Sequence, residues 1–291
     1  SIFCQDTSQI EVVLVDDGSP DGTYEVAKTY AEKHANLRVF HKDNEGVGAA
    51  RNFLLEQAVG EFIWFVDSDD YIVNKSLQQI LSELNNMIDM LGISYNGVNI
   101  LPFESSGIEY IKRGHINGYL WTKIIRRSVI EDANIRFDPK RYSQEDWFFL
   151  MQVYPLLKGI KQIPLQAYIY SDDNENSVMR GIHVENTKRN VADSRVTICN
   201  FKTYIDCHRY HTFYEYYRQW LNYSLVGYLY SLFPIDYSIK EIKNDINIFR
   251  ERGVYPVGKT GHRKADLFLW VVNRERIYLL LILLYRKIKG R

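Results

Sequence analysis

The sequence predicts an α/β protein: a Rossmann-like, mainly parallel sheet flanked by helices over residues 1–182, then a helical extension over 183–291. Three observations carry this. Short β-branched apolar runs alternate with helix-like stretches across residues 10–85, a rhythm that implies right-handed βαβ units with helices on both faces. Acidic clusters directly follow two of those runs, and ligands of open α/β sheets bind beyond the carboxyl ends of strands. From residue 183 onward the pattern is mostly helical, with breaks marked by Pro234, Gly253, Pro256, Gly258 and Gly261.

The elements follow in order. Residues 10–16 (IEVVLVD) read as a buried strand. Gly18, Ser19 and Pro20 end it, and Ser19 as N-cap with Pro20 at the first helical position starts a helix to about His34. A second strand is expected over 37–41, a second helix over 46–59, and after Gly60 a third strand over 61–66. Residues 74–85 read as a third helix capped by Asn74. Further strands are expected over 90–100 and 160–170, with an apolar helix over 145–158.

At 291 residues, with 46% apolar and 25% charged side chains, the chain has ordinary globular proportions. That length suffices for one large domain or two smaller ones. The formal net charge of zero hides an asymmetry. Residues 1–182 hold 17 Lys/Arg and 26 Asp/Glu, a balance of −9; residues 183–291 hold 19 and 10, a balance of +9. The first part suits a cation and the second an anionic surface. Three cysteines give no disulfide framework. Cys199 and Cys207 would stand roughly 12 Å apart along one helix, too far to bridge. A reducing, cytoplasmic setting is therefore expected. No secretory leader is visible, and the sequence opens at Ser1 rather than Met, so residues upstream are expected.

Three strings carry the candidate chemistry. In "WFVDSDDY" (64–71), Asp67, Asp69 and Asp70 crowd the end of an apolar strand. Oxygen ligands from such a tight loop suit Mg²⁺ or Mn²⁺ together with phosphate oxygens, whereas a hydrated turn explains the same string. In "VDDGSPDGT" (15–23), Asp16 and Asp17 can accept hydrogen bonds from a base N–H or a ribose hydroxyl; a helix-capping turn is the alternative. In "NEGVGAARN" (44–52), Gly46 and Gly48 allow close backbone approach at a helix N-terminus, a natural anion site. Arg51 then projects either toward a diphosphate or onto Glu45 or Glu56.

"VVLVDDGSPDGT", "NEGVGAARN" and "GEFIWFVDSDD", in this order and spacing, resemble the family 2 glycosyltransferases with the GT-A fold over residues 9–85. The resemblance implies a nucleotide-sugar donor, with Asp17 and Asp16 at the base or ribose and Arg51 near the diphosphate. It makes Asp67 and Asp69 the metal-binding pair, with Mn²⁺ or Mg²⁺ as cofactor and Asp69 the direct ligand. "GYLWTKIIRRSVI" (118–130) is similar to a stretch of polysaccharide-building members, which implies that Trp121 and Lys123 line the acceptor or donor-sugar region. "SQEDWFF" (143–149) resembles the family's Glu-Asp pair, which makes Asp146 the catalytic base and Glu145 its alternate. Without the family, the same two acids read as stabilising a helix N-terminus.

The resemblance also has gaps. Ser171 stands where the family has Arg, so no diphosphate role passes to it, and His183 reads as an exposed or capping residue rather than a metal neighbour. The family's first strand, which would fill the sheet centre, has no counterpart here, and "SIFCQDTSQ" resembles the end of the helix after it. A sheet without its middle strand exposes unpaired backbone groups.

The implied reaction is inverting transfer from a nucleotide diphosphate-sugar, UDP by family frequency, to a hydroxyl of a saccharide or lipid-linked saccharide in cell-surface polysaccharide synthesis. The alternatives are a sugar-phosphate nucleotidyltransferase and a non-catalytic saccharide-binding or assembly subunit. Residues 266–291 carry two apolar runs and a basic tail. They are too short to span a bilayer but suited to peripheral contact at the inner face of the membrane, or else to internal packing or a homodimer contact. Nucleic acid is not an expected partner, since no known motif accompanies the positive charge.

Overall fold

The structure is a computed structural model that describes residues 1–141, 143–171 and 184–289. The chain divides into two units, Ser1–Asn174 and Glu175–Arg291; the boundary expected at 182/183 lies outside the described residues.

In the first unit, β1 (Val12–Asp17), α1 (Thr23–Ala31) and β2 (Leu37–Lys42) are followed by α2 (Val47–Gln57) and β3 (Phe62–Trp64). Next come β4 (Tyr71–Ile72), α3 (Ser76–Glu83), β5 (Met90–Tyr95), β6 (Phe103–Ser105) and α4 (Gly107–Lys112). Then β7 (Lys123–Arg126), α5 (Arg127–Asp132), α6 (Glu145–Val153) and β8 (Ile160–Ile169) complete it. The strands form two sheets. One is β1 with β2, parallel from Val12/Leu37 to Asp17/Lys42. The other has the order β3-β7-β5-β8-β4, with β6 also on β8. Its β5–β8 ladder is parallel, and the β3–β7, β5–β7, β4–β8 and β6–β8 ladders are antiparallel. The two longest ladders are thus the parallel ones, and shorter antiparallel pieces surround the second.

Two consequences were not visible in the sequence. β7 is four residues long and follows a single helical turn at Leu120–Thr122, too brief a run to announce itself. β1 and β3, expected in one mainly parallel sheet, belong to separate sheets. The difference shows in burial: Met90–Ser94 of β5, between β7 and β8, are fully buried, whereas Val12–Val15 of β1 are only half-buried. The core of the second sheet is built from Ile80, Ile88, Leu91, Ile93, Ile124, Ala167 and Tyr168.

Several helix starts differ from expectation for local reasons. The N–H of Ser19 is captured by Asp16 Oδ1 at 3.2 Å. α1 therefore begins only at Thr23, whose N–H and hydroxyl both reach Asp21 Oδ1. α3 begins at Ser76 after a left-handed Lys75, not at Asn74. The strand expected over 90–100 stops at Tyr95, where Asn96 and Gly97 take positive φ. The helix expected over 145–158 ends at Val153 and gives way to a single 3₁₀ turn containing Pro155, since proline cannot donate to a continuing helix.

The second unit is helical, as expected: α7 (Val184–Cys207), α8 (Tyr214–Ser231), α9 (Ile239–Glu251), α10 (Arg263–Val272) and α11 (Glu275–Ile288). α9 opens with a capping box between Ser238 and Glu241. Buried Asp245 accepts from Arg195 and from the Tyr228 hydroxyl, and Arg286 donates to the carbonyls of Leu232, Ile235 and Tyr237. No helix among the described residues is long and apolar enough to cross a membrane.

α2 lies so close to the segment before α6 that a Cβ on Gly48 would stand 2.7 Å from the Asp138 carbonyl oxygen. Gly48→Ala should therefore cost about 1–3 kcal/mol in urea unfolding, the usual range for overpacking. Gly227→Ala in α8, where a Cβ meets nothing within 4 Å, should be neutral or stabilising by up to about 1 kcal/mol.

Candidate active site

α2 is the element that draws the sequence motifs together. Asp17, at the end of β1, holds its start: Oδ2 accepts the Gly46 N–H at 2.8 Å, and Oδ1 accepts the Glu45 N–H at 3.2 Å and Lys42 Nζ at 2.6 Å. Gly46 has φ +92°, a backbone setting only glycine takes without strain. Further along the helix, the Asn52 amide brackets the backbone of Phe137, donating to its carbonyl at 2.9 Å and accepting its N–H at 2.8 Å.

Arg51 stands between these two anchors. Its Nη1 donates to Glu145 Oε1 at 2.5 Å and its Nη2 to Asp67 Oδ1 at 3.0 Å, and its guanidinium sits 5.6 Å from the centre of the Phe137 ring. Neither Glu45 nor Glu56 is its partner: the helix presents Arg51 inward, across to β3 and α6. Asp146 follows Glu145 at the start of α6. Burial, then repulsion from Glu145, pushes its carboxyl up to about 7 against the pull of Arg51. A carboxyl in that range exchanges protons near neutral pH.

The acidic loop divides its charge among different hosts. The Asp70 N–H closes a turn onto the Asp67 carbonyl at 3.2 Å. The Tyr168 hydroxyl, arriving from β8, donates to Asp70 Oδ2 at 2.6 Å and accepts the Asp67 N–H at 3.1 Å. Asp70 Oδ1 accepts the Ser171 N–H at 2.8 Å. Asp70 is thus a buried structural anchor whose pKa burial raises, while Asp67 leans on Arg51 and Asp69 is exposed. Among the described residues, no three His, Cys, Asp or Glu gather closely enough to hold a metal alone. Two carboxylates are nevertheless the hard donors that Mg²⁺ or Mn²⁺ takes when phosphate oxygens and water complete its shell, so the residues present fit such an ion.

The other expected residues are placed as follows. Asp16 is buried, with Oδ2 2.7 Å from His41 Nδ1 and Oδ1 on the Ser19 N–H. Trp121 stacks on Tyr168, centroids 4.7 Å apart, and on Tyr170 at 5.7 Å; its carbonyl accepts Trp64 Nε1–H at 2.7 Å. Trp121 therefore reaches the acidic loop through Tyr168. Lys123 is enclosed in the sheet at 2% exposure, donates to Thr122 Oγ1 at 2.6 Å, and is pulled by burial down to about 7. So Arg51, Asp67, Glu145 and Asp146 form one cluster, Asp17 and Trp121 adjoin it through α2 and Tyr168, and Lys123 stands apart. His183 and the stretch 172–179 lie outside the described residues. Tyr168, Asn52 and His41 escaped the sequence reading; Tyr168 and Asp70 are 98 positions apart, and nothing local marks such a pair.

An α/β fold with this acidic loop and a Glu-Asp pair across from it defines a GT-A-type protein, and the comparisons agree. The profile described as "Glycosyl transferase family 2" matches residues 1–129. An uncharacterized glycosyltransferase of Haemophilus influenzae is 31% identical over 177 residues, covering 58% of this chain and 68% of that protein. The uncharacterized glycosyltransferase EpsJ of Bacillus subtilis is 31% identical over 196 residues, 61% of this chain and 57% of its own length. The poly(ribitol-phosphate) β-N-acetylglucosaminyltransferase TarS of Staphylococcus aureus is 33% identical over 187 residues, 61% of this chain and 32% of TarS. A solved structure of TarS residues 1–349 with UDP-GlcNAc has a TM-score of 0.63 at 23% identity, covering 98% of this chain and 83% of that one. The chain belongs to glycosyltransferase family 2. It spans just over half of EpsJ, the same being true of the Bacillus subtilis relative EpsH at 54%.

Arg51→Ala leaves the nearly buried Glu145 without its cation and should cost about 3–5 kcal/mol, the usual penalty for stranding one member of a buried pair. Arg51→Lys keeps the charge but loses the fork and should cost less. Urea unfolding of the two variants checks the order.

Proposed function

We propose that the chain carries the donor-binding and catalytic portion of an inverting glycosyltransferase. It moves a sugar from a nucleotide diphosphate-sugar to a hydroxyl of a saccharide or lipid-linked saccharide, in cell-surface polysaccharide synthesis. UDP as the nucleotide is supported by the TarS relative, whose solved structure contains UDP-GlcNAc. A lipid-linked acceptor would bring the chain to the inner face of the membrane. The observation that carries the reading is the placement of Asp146, at the start of α6 beside the Arg51–Glu145–Asp67 cluster, where burial pushes its carboxyl up to about 7.

The chemistry is a single displacement. The acceptor hydroxyl gives its proton to Asp146 as its oxygen bonds to the anomeric carbon from the face opposite the leaving group. The bond from that carbon to the diphosphate oxygen breaks, and the electron pair leaves with the diphosphate, so the configuration inverts. Asp69, with the Asp67 oxygen not used by Arg51, would hold Mn²⁺ or Mg²⁺, which supplies positive charge to the departing diphosphate. Arg51 holds Asp67 and Glu145 in place. Burial, with the charge of Glu145 beside it, keeps Asp146 basic enough to take a proton. Asp17 sets the start of α2, the helix that carries Arg51, and Asp16 with Asp17 forms the side of the site assigned to the base and ribose.

Only ionised Asp146 can accept the proton, so kcat/KM should fall as pH drops below about 7 and level off above it. Asp146→Asn should remove that limb and lower turnover by about 10²–10⁴-fold, read by release of nucleotide diphosphate from a panel of nucleotide sugars. A chain with unchanged turnover after Asp146→Asn would refute the assignment.

Metal removal gives a second check. Chelation with EDTA should abolish transfer, and Mn²⁺ should restore it. Asp69→Ala should weaken the Mn²⁺-dependent binding of UDP-sugar by at least about tenfold in calorimetry.

A further inference from the structure

We propose that helices α10 and α11 form a docking surface for an anionic lipid bilayer. The inference uses the second unit alone and stands apart from the transfer reaction.

Each helix carries an outward stripe of the same design. On α10, positions 263, 267 and 270 fall on one face; Leu267 and Trp270 are 75% and 56% exposed, Arg263 closes one end, and Arg274, the residue just before α11, closes the other by lying over the Trp270 ring. On α11, positions 276, 280, 283, 284 and 287 share a face; Leu280, Leu283 and Leu284 are 55%, 51% and 46% exposed, and Arg276 and Lys287 close the ends. Their opposite faces are already committed: Val272, Tyr278, Leu279 and Ile282 are buried. The exposed leucines are therefore not the edge of a core that merely failed to close. Large exposed apolar side chains rimmed by polar groups mark a protein or membrane contact.

Charge decides between those partners. Among the described residues, Arg263, Lys264, Arg276, Lys287 and Lys289 form no ion pair. The acids of the two helices are occupied: Asp266 accepts from the Thr260 N–H and hydroxyl, and Glu275 pairs with Arg250 at 3.0 Å. The rim is thus cationic at both ends of both stripes. A second copy docking face to face would set these cations against their own counterparts. An anionic bilayer satisfies both features, since leucine and tryptophan enter the headgroup boundary while Arg and Lys stems extend back to lipid phosphates. Arg274 already lies over the Trp270 ring, 4.3 Å from its centre. With 10 and 14 residues against the roughly 20 needed to span, the helices lie on the membrane and do not cross it.

The whole chain is floated with vesicles of phosphatidylcholine alone and with phosphatidylglycerol added, at low and high salt, with no nucleotide sugar present. The expected result is flotation with the anionic vesicles only, reduced by salt. Leu283→Glu with Leu284→Glu, and separately Arg276→Glu with Lys287→Glu, should each lower the bound fraction at least about tenfold, with the circular dichroism spectrum unchanged. The proposal is overturned by equal flotation with neutral vesicles, by no flotation at low salt, or by variants that bind like the parent. It is also overturned by a concentration-dependent dimer in sedimentation that the leucine variant abolishes, which would give the face to a second copy. A chain inactive in transfer leaves every one of these results readable.

Discussion

The first unit depends on one guanidinium. Arg51 reaches from α2 to Asp67 behind β3 and to Glu145 at the start of α6, so one side chain links three segments. The planar fork matters, because two N–H groups pointing in fixed directions can hold two carboxylates from different strings at once. A lysine offers a single centre of charge and no such division. Everything that fixes α2 therefore fixes the site: Asp17 at its first N–H groups, Gly48 allowing it against Asp138, and Asn52 clasping Phe137.

The same arrangement resolves the electrostatic problem of five carboxyls near one cleft. Asp67 and Glu145 share the arginine; Asp70 is taken out of the cluster by Tyr168 and the Ser171 N–H; Asp69 stays exposed. Asp146 receives what remains. The arginine is nearest to its neighbours, so burial and the charge of Glu145 win at Asp146 and raise its pKa. A buried anchor, an exposed carboxylate and a carboxyl of raised pKa are thus three outcomes of one distribution of positive charge among acids of the same chemical type.

This also explains what could be read from the sequence. Strand positions and the strings at their ends follow from patterns within ten or so residues, and β1, β2, α2 and β5 lie close to where periodicity places them. Helix starts were misjudged where a side chain outcompeted the local signal: Ser19-Pro20 has the composition of a cap, but Asp16 takes the Ser19 N–H first. The decisive pairings are long-range. Arg51 and Glu145 are 94 positions apart and Tyr168 and Asp70 are 98 apart, so Arg51 reads locally as a partner for Glu45 or Glu56 and Tyr168 as one more core aromatic. The sheet order is equally nonlocal, since β7 enters between β3 and β5 through antiparallel ladders of three residue pairs each.

The two units handle charge in opposite ways. In the first, cations are consumed internally: Arg38 on Glu11, Lys42 on Asp17 and Glu45, Arg51 on Asp67 and Glu145, Arg126 on Glu61 and Asp89, Lys161 on Glu83 and Glu104. In the second, the buried charges also find partners, Arg195 with Asp245 and Arg286 with backbone carbonyls, whereas Arg263, Arg276 and Lys287 beside the α10 and α11 stripes form no ion pair among the described residues. Unpaired charge on a folded surface is retained at little cost in water and is strengthened wherever the local dielectric falls. A cationic rim around exposed leucines gains most from a phase that is apolar inside and anionic at its boundary. A near-neutral whole chain in this way gathers acidic groups on one unit and leaves cations beside exposed leucines on the other.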